Sequence, residues 1–161
     1  MRSRSILMST IDRMQFILAF GRDVDFHHSC PQSTYLDRHT GEVVWLYEND
    51  EDAYFEVGIP AEENRKGHQR IDEEPERYLS IPGFDHGDHH DILKRFLRSD
   101  WTDDDSLRQT AAQAYSGLIG RWKRDVSNHG AVQAFHAFRE ERIAKMVEEF
   151  LAENGIEPRW L

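Results

Sequence analysis

The chain has 161 residues, of which 39% are hydrophobic and 31% are charged, and 30 acidic against 20 basic residues give a formal net charge of −10. This composition is typical of a globular protein and excludes a disordered chain. The excess negative charge repels nucleic acid and anionic membrane over most of the surface, so we expect neither as a partner.

The negative charge is unevenly distributed along the chain. Residues 1–105 carry 12 Lys or Arg and 23 Asp or Glu, whereas residues 106–161 carry 8 and 7. The C-terminal third is therefore the part that can approach a phosphate group without long-range repulsion. Cys30 is the single cysteine, which excludes an intramolecular disulfide and a cysteine-based zinc site.

The first eight residues give no clear structural signal. We predict that residues 1–8 form a disordered extension of a single domain that spans residues 1–161. The apolar stretch after Arg4 is three residues long, which is too short for the core of a signal peptide. No stretch approaches the roughly 20 apolar residues of a membrane span. We therefore expect a cytoplasmic protein that does not enter a membrane.

A first helix is predicted to begin at Ser9 or Thr10, either of which can cap it, and to end at Gly21. Apolar residues recur within this segment at helical spacing and are expected to form its buried face. They are Ile11, Met14, Ile17 and Leu18.

A β-hairpin is the clearest local signal in the first half of the chain. Its strands are predicted at 34–36 and 42–47, and the second is rich in β-branched and aromatic residues. Between them, Asp37 can accept hydrogen bonds from its own turn, and Gly41 can adopt the positive φ that closes such a turn. The segment 77–81 is predicted to be a third strand or an extended edge.

Helices are predicted over most of the remaining chain from apolar spacing and capping residues. They cover about residues 60–70, 86–97, 107–126 (divided near Gly117 and Gly120) and 132–153. An acidic loop is expected at 48–52. The sum is an α+β fold in which a small antiparallel hairpin or three-stranded sheet packs against four to six helices, with a long C-terminal helix.

Five short blocks of sequence between residues 34 and 157 together resemble those of a known protein family. They are Tyr35-Leu36-Asp37 with Thr40-Gly41-Glu42-Val43-Val44, Glu76-Arg77-Tyr78-Leu79-Ser80-Ile81-Pro82, Arg121-Trp122-Lys123, Phe135 to Arg142, and Phe150 to Ile156. Together they resemble a bacterial uncharacterised-protein family, number 0158 of the UPF series. That family has no established activity, cofactor or partner, so the resemblance transfers no functional residue. It also has Ser, His and Glu where His86, Gly87 and Asp88 stand here, so it does not support a metal site.

The segment 85–91, Asp-His-Gly-Asp-His-His-Asp, is the densest group of side chains that can bind a metal. If a helix begins near His86, then His86 and His90 lie four residues apart on one face, and Asp88 is close by. Imidazole and carboxylate together suit zinc, manganese or iron, so a divalent metal is possible although no cofactor is predicted. The alternative is a polar helix N-terminus, with Asp88 and Asp91 facing the helix dipole.

The C-terminal basic residues are candidates for binding an anion or a partner. They are Arg121, Lys123, Arg124, Arg139 and Arg142. Arg121 and Arg124 could hold a phosphate beside Trp122, or Trp122 could be buried and its basic neighbours could form a solvated helix face. Arg139 falls on the inner side of the last helix, so we expect it to pair with a carboxylate from another element or to line an anion pocket.

No glycine-rich phosphate loop, Gly-x-Ser-x-Gly elbow or His-Glu-x-x-His motif occurs. The acidic groups at 50–52, 72–74 and 103–105 form solvated loops or a surface for a basic protein partner. We therefore predict a non-catalytic regulatory or protein-interaction module. The alternative is a small metal-dependent hydrolase, or an anion- or phosphate-binding protein, that uses the segment 85–91 and the C-terminal arginines. Whether the chain is an enzyme stays open.

Overall fold

The computed structural model describes residues 7–24, 32–126 and 130–161, so Cys30 and residues 1–6 lie outside the described part of the chain. Five strands and seven helices occur within these ranges, and the predicted α+β class is confirmed. In chain order they are β1 (Leu7–Ile11), α1 (Arg13–Phe20), β2 (Gln32–Asp37), β3 (Val43–Tyr47), α2 (Asp50–Val57), α3 (Ala61–Glu73), β4 (Tyr78–Ile81), α4 (His86–Leu97), α5 (Asp105–Ala114), α6 (Ile119–Asp125), α7 (Ala131–Glu153) and β5 (Ile156–Trp160).

The chain divides into two compact units. Unit 1 comprises Met1–Phe84 and Val147–Leu161, and unit 2 comprises Asp85–Met146. Residues 85–146 contain ten Lys or Arg and ten Asp or Glu, so the whole formal charge of −10 belongs to unit 1. The two units therefore present different electrostatic environments to a charged ligand, and the single domain expected from sequence stays a prediction.

The predicted hairpin and third strand form the antiparallel sheet of unit 1. Its strand order is β3-β2-β4, with β2 in the centre. The turn between β2 and β3 has the expected chemistry. The Asp37 carboxylate accepts a hydrogen bond from the His39 amide at 2.9 Å, and Gly41 has a φ of 77°. The conformation of this turn therefore depends on residues that lie within five positions of one another.

Unit 1 also contains a parallel pair of strands that the sequence pattern does not predict. β1 pairs with β5 from Leu7 opposite Ile156 to Ile11 opposite Trp160. Leu7 and Met8 belong to β1, so the predicted disordered extension does not include these two residues. A strand at the other end of the chain supplies their backbone hydrogen bonds, which is a contact that no local pattern reveals.

The first helix starts later than its predicted N-terminus, because Asp12 caps it and accepts a hydrogen bond from the Gln15 amide at 3.1 Å. Its buried face also differs from the prediction, since Met14 is 72% exposed whereas Phe16 and Phe20 are buried. Both phenylalanine rings pack near Phe150, at centroid distances of 6.3 Å and 5.5 Å. The larger aromatic area decides which face of α1 turns inward.

The expected acidic loop at 48–52 is replaced in part by α2. Asn49 caps this helix by accepting a hydrogen bond from the Glu51 amide at 2.9 Å. Its first turn contains Asp50, Glu51 and Asp52, which the positive end of the helix dipole stabilises. The acidic run is therefore an N-terminal helix signal, and it adds a helix to the number expected.

Unit 2 consists of helices around an aromatic core. The rings of Phe96, Trp122 and Phe135 lie 5.5 to 6.1 Å apart at near-perpendicular angles. Trp122 is fully buried, and its Nε1 donates a hydrogen bond to the Ala111 carbonyl at 2.8 Å. In the described part of the chain, no helix combines the length and the apolar composition needed to cross a membrane.

Candidate functional site

The N-terminus of α4 positions two histidines of unit 2. Asp85 accepts a hydrogen bond from the Asp88 amide at 2.8 Å, and the Asp88 carboxylate accepts one from the Asp85 amide at 3.0 Å. This reciprocal capping box makes His86 the first helical residue. His86 and His90 are then one helical turn apart and lie on the same face, as the spacing predicts.

The two imidazoles form a hydrogen-bonded chain with a tyrosine. Nε2 of His90 lies 3.0 Å from Nε2 of His86, and the ring centroids are 4.3 Å apart. Nδ1 of His90 is hydrogen-bonded to the Tyr115 hydroxyl. A bond between two ring nitrogens requires that one carries a proton and the other does not. The chain from Tyr115 to His86 can therefore relay a change of protonation from one end to the other.

His90 is the buried member of the pair, with 8% of its surface exposed. Burial lowers the pKa of His90, and the neighbouring charges of His86, Lys94 and His89 lower it further, against an opposing effect of Asp91. The neutral form of His90 is thus favoured at neutral pH. A positive charge on His90 is therefore favoured by a lower pH or by a bound anion.

The histidine pair faces a cavity of about 550 Å³. We name it the His–Arg cavity, and it is lined by His86, His90, Leu118, Ile119, Gly120, Arg121 and Arg124. Its volume lies within the roughly 300–1,000 Å³ that small-molecule sites occupy. The cavity therefore unites the two sequence features that were singled out separately, the histidine segment and the first C-terminal arginines.

α6 supplies the two arginines of this cavity. Trp122 is buried, as one of the two sequence interpretations expects, and it anchors the helix in the core of unit 2. Arg121 and Arg124 lie one turn apart on the exposed side. With respect to the described residues, the Arg121 side chain makes neither a hydrogen bond nor an ion pair. Its guanidinium is available to a ligand.

Asp88, the third candidate metal ligand, is engaged elsewhere. Its carboxylate accepts the Asp85 amide in the capping box, and this explains its position without a metal. Within residues 7–24, 32–126 and 130–161, no group of three His, Cys, Asp or Glu side chains is arranged to hold a metal ion. His86 and His90 are therefore the two imidazoles of the predicted segment that lie together, and their use as metal ligands stays a prediction.

The other candidate cations are in separate places. The Lys123 ammonium lies 5.8 Å from the Phe135 ring centroid. Arg139 is half-buried, and burial lowers its pKa against an opposing effect of Glu140. Among the described residues, no carboxylate from another element pairs with Arg139, and it does not line the His–Arg cavity. Arg142 lines a second groove, which shares no lining residue with the His–Arg cavity.

Tyr115 is the site residue that sequence reasoning misses. It is 25 residues from His90 and follows the end of α5 in an unremarkable Ala-Tyr-Ser-Gly segment. No pattern in the sequence marks it, because its contact with His90 depends on how α4 and α5 pack. The apolar wall of Leu118 and Ile119 is likewise visible only once the cavity is formed.

Comparison of the chain with protein-family models, with curated proteins and with solved structures finds no match. The resemblance to the uncharacterised bacterial family therefore stays a prediction, and the functional argument is built on the geometry of the side chains.

Proposed function

We propose that this chain is a non-catalytic binding module whose unit 2 takes up a phosphate-sized anion in the His–Arg cavity. The observation that carries the proposal is the convergence of His86, His90, Arg121 and Arg124 on one cavity. These four side chains come from α4 and α6, more than 30 positions apart in sequence. Their meeting in one place supports a common ligand.

Phosphate is the anion that this set of side chains fits best. Guanidinium groups present donors in a planar fork that matches two phosphate oxygens, and charge-assisted bonds of this kind are stronger than neutral ones. The apolar side chains of Leu118 and Ile119 line the same cavity beside the arginines. Because residues 85–146 have no net formal charge, unit 2 does not by itself repel an anion.

Binding in this cavity is expected to be coupled to protonation. An anion beside the histidine pair favours the charged form of His90, so the affinity for an anion whose own charge does not change with pH rises as the pH falls from 7.5 to 6. The pair is faced by charged or titratable groups from each neighbouring element. They are His89, Asp91 and Lys94 on α4, Tyr115 after α5, and Arg121 and Arg124 on α6.

Isothermal titration calorimetry with inorganic phosphate at low ionic strength tests the proposal. We expect phosphate to bind with millimolar affinity or tighter, and we expect sulfate, whose charge is the same at pH 6 and pH 7.5, to bind more tightly at pH 6. Arg121→Gln combined with Arg124→Gln should weaken binding at least about tenfold, since each lost charge-assisted bond is worth about 1.5–3 kcal/mol. The control is Arg65→Gln combined with Arg70→Gln in unit 1, which removes the same charge from exposed positions and should leave the affinity unchanged.

Two results would contradict this function. One is an absence of heat at about 10 mM phosphate from wild-type protein that melts cooperatively. The other is an equal loss of affinity in both pairs of variants, which would show that net charge alone is responsible. Metal analysis of the purified protein distinguishes the hydrolase alternative, because stoichiometric zinc or manganese that disappears with His86→Ala and His90→Ala would replace the anion proposal.

A second function is favoured by α2, and it belongs to unit 1. Phe55 is 80% exposed and Tyr54 is 61% exposed, and the two rings are 5.9 Å apart. The same short helix begins with three carboxylates, Asp50, Glu51 and Asp52. An exposed aromatic pair beside negative charge suits a partner segment that is basic and partly apolar. We therefore propose that α2 binds such a segment of a protein partner.

This second function can be tested with a synthetic helix of Lys and Leu. Tyr54→Ser combined with Phe55→Ser should weaken its binding about tenfold or more, because aromatic anchors carry most of the energy of such contacts. Leu118→Ser, which also removes an exposed apolar side chain but lies in unit 2, should have no effect. Equal binding by all three proteins would exclude α2 as the contact surface.

A further inference from the structure

We propose that a second groove in unit 2 binds a small anion that carries two or more linked phosphate groups. We name it the basic groove, and it is lined by the cations Arg95, Arg98, Arg142 and Lys145 together with Phe138 and Glu141. It shares no lining residue with the His–Arg cavity. Its volume of about 480 Å³ is adequate for a small-molecule ligand.

The four cations come from two helices in two similar pairs. Arg95 belongs to the last turn of α4 and Arg98 is its C-terminal cap. Arg142 and Lys145 lie three residues apart in α7. Residues with this spacing are neighbours on a helix surface, with Cβ atoms about 5–6 Å apart. Two pairs of positive charge therefore line the same groove.

These cations are not accounted for by interactions within the described chain. Among residues 7–24, 32–126 and 130–161, none of the four side chains makes a hydrogen bond or an ion pair. The negative end of the α4 dipole favours Arg95 and Arg98 at their positions. It cannot explain Arg142 and Lys145, since α7 extends from Ala131 to Glu153 and both lie well inside it. An anion in the groove would relieve their mutual repulsion.

The lining indicates the class of anion. Four cations and the carboxylate of Glu141 leave a formal charge of +3, so a singly charged anion would neutralise little of the groove. Three guanidinium groups favour phosphate oxygens, which they can bind in pairs. Phe138 is half-buried, with its ring 5.6 Å from that of Phe96, and it adds an apolar side to the groove. A diphosphate or triphosphate group is the smallest ligand that meets these requirements.

Calorimetric titration with inorganic tripolyphosphate, pyrophosphate and phosphate tests this inference. We expect tripolyphosphate to bind the wild-type protein at least about tenfold more tightly than phosphate does, with an affinity that falls as salt is added. Arg98→Gln combined with Arg142→Gln should weaken tripolyphosphate binding about tenfold or more. The matched control is Arg65→Gln combined with Arg70→Gln, two exposed arginines of unit 1 that line neither site, which should leave tripolyphosphate binding unchanged. If the Arg98 and Arg142 variant does not fold, a second double variant, Arg95→Gln with Lys145→Gln, takes its place in the experiment, because both of its positions are exposed.

The same set of variants separates this inference from the proposed function. Loss of tripolyphosphate binding in the Arg121 and Arg124 variant alone would assign the ligand to the His–Arg cavity and overturn the basic groove. The basic groove would also be overturned if a folded variant of its arginines bound tripolyphosphate as tightly as the wild-type protein does. It would be overturned as well if the wild-type protein did not bind tripolyphosphate. An acidic peptide of glutamates that binds the groove as tightly as tripolyphosphate would overturn the ligand class. Phosphate binding in the His–Arg cavity is tested separately, by titrating phosphate into the Arg121 and Arg124 variant.

Discussion

The guanidinium of Arg77 binds the carboxylate of Asp37 through two parallel hydrogen bonds, Nε to Oδ1 at 2.9 Å and Nη2 to Oδ2 at 2.8 Å. The Asp37 side chain is 5% exposed and also accepts the His39 amide. Asp37 ends β2, and Arg77 precedes β4, so the pair joins the hairpin turn to the third strand. Two charges that are distant in sequence thus stabilise the sheet of unit 1.

Replacing Asp37 by Asn should destabilise the protein by about 2 kcal/mol at pH 7. The amide retains an acceptor for the turn but loses the charge that Arg77 binds. Urea unfolding measures the change in free energy. Glu62→Gln is the control, because its ion pair with Lys66 is exposed and should contribute less than about 0.5 kcal/mol. Equal effects of the two substitutions would contradict a special role for the buried pair.

The stability that Asp37 contributes should depend on pH in the acid range. Burial by itself raises the pKa of Asp37, but hydrogen bonds from Arg77, the His39 amide and Thr40 outweigh it and hold this pKa at about 2. Because this pKa is lower in the folded than in the unfolded protein, Asp37 stabilises the fold fully above its pKa of about 4 in the unfolded chain. This stabilisation is lost as the pH falls towards 2. The difference in unfolding free energy between wild type and Asp37→Asn should therefore shrink between pH 5 and pH 2. A constant difference over this range would show that charge is not its cause.

Gly41→Ala should be far more damaging than Gly58→Ala. Both glycines have positive φ, 77° and 70°, which costs alanine about 1 kcal/mol. A Cβ on Gly41 would also overlap the carbonyl oxygen of Thr10, a backbone atom of β1, whereas a Cβ on Gly58 meets nothing within 4 Å. In urea unfolding we expect the free energy of unfolding to fall by about 3 kcal/mol or more for Gly41→Ala and by about 1 kcal/mol for Gly58→Ala. Similar losses would mean that β1 does not pass beside the turn.

Trp122→Phe and Trp101→Phe form a matched pair in unit 2. Trp122 is fully buried and donates to the Ala111 carbonyl, so its replacement leaves a void and an unpaired acceptor. The half-buried Trp101 has no partner for its Nε1 among the described residues. In thermal unfolding we expect the free energy of unfolding to fall by about 2–4 kcal/mol for Trp122→Phe and by less than about 1 kcal/mol for Trp101→Phe. The reverse order would contradict the assignment of Trp122 to the core.

Tyr115→Phe should change the pH dependence of phosphate binding and leave the fold intact. We assign the Tyr115 hydroxyl as the donor to Nδ1 of His90, a bond that stabilises the neutral imidazole. Its removal should let His90 protonate more easily, so that phosphate binding extends to higher pH. Calorimetry between pH 5.5 and 8 measures the shift, and Tyr54→Phe in unit 1 is the control. An unchanged profile would show that the hydroxyl does not influence the protonation of His90.

Local sequence chemistry predicts part of this structure well. The hairpin turn follows from Asp37 and Gly41, and the start of α4 follows from Asp85, because each of these signals acts over five positions or fewer. The face of α1 is not predicted correctly, since spacing favours Met14 but packing against Phe150 selects Phe16 and Phe20. The pairing of β1 with β5 has no local signal, because its hydrogen bonds join the two ends of the chain.

The amino-acid sequence alone determined the α+β class, the spacing that puts His86 and His90 on one side of a helix, and the acidic excess of unit 1. Tertiary structure decided that Tyr115 contacts His90, that Arg121 and Arg124 share its cavity, and that Arg142 joins Arg95 and Arg98 in another groove. The physical reason is the range of the interactions. Caps, turns and helix faces depend on neighbours in the chain, whereas a binding site depends on side chains that meet only after the helices have packed.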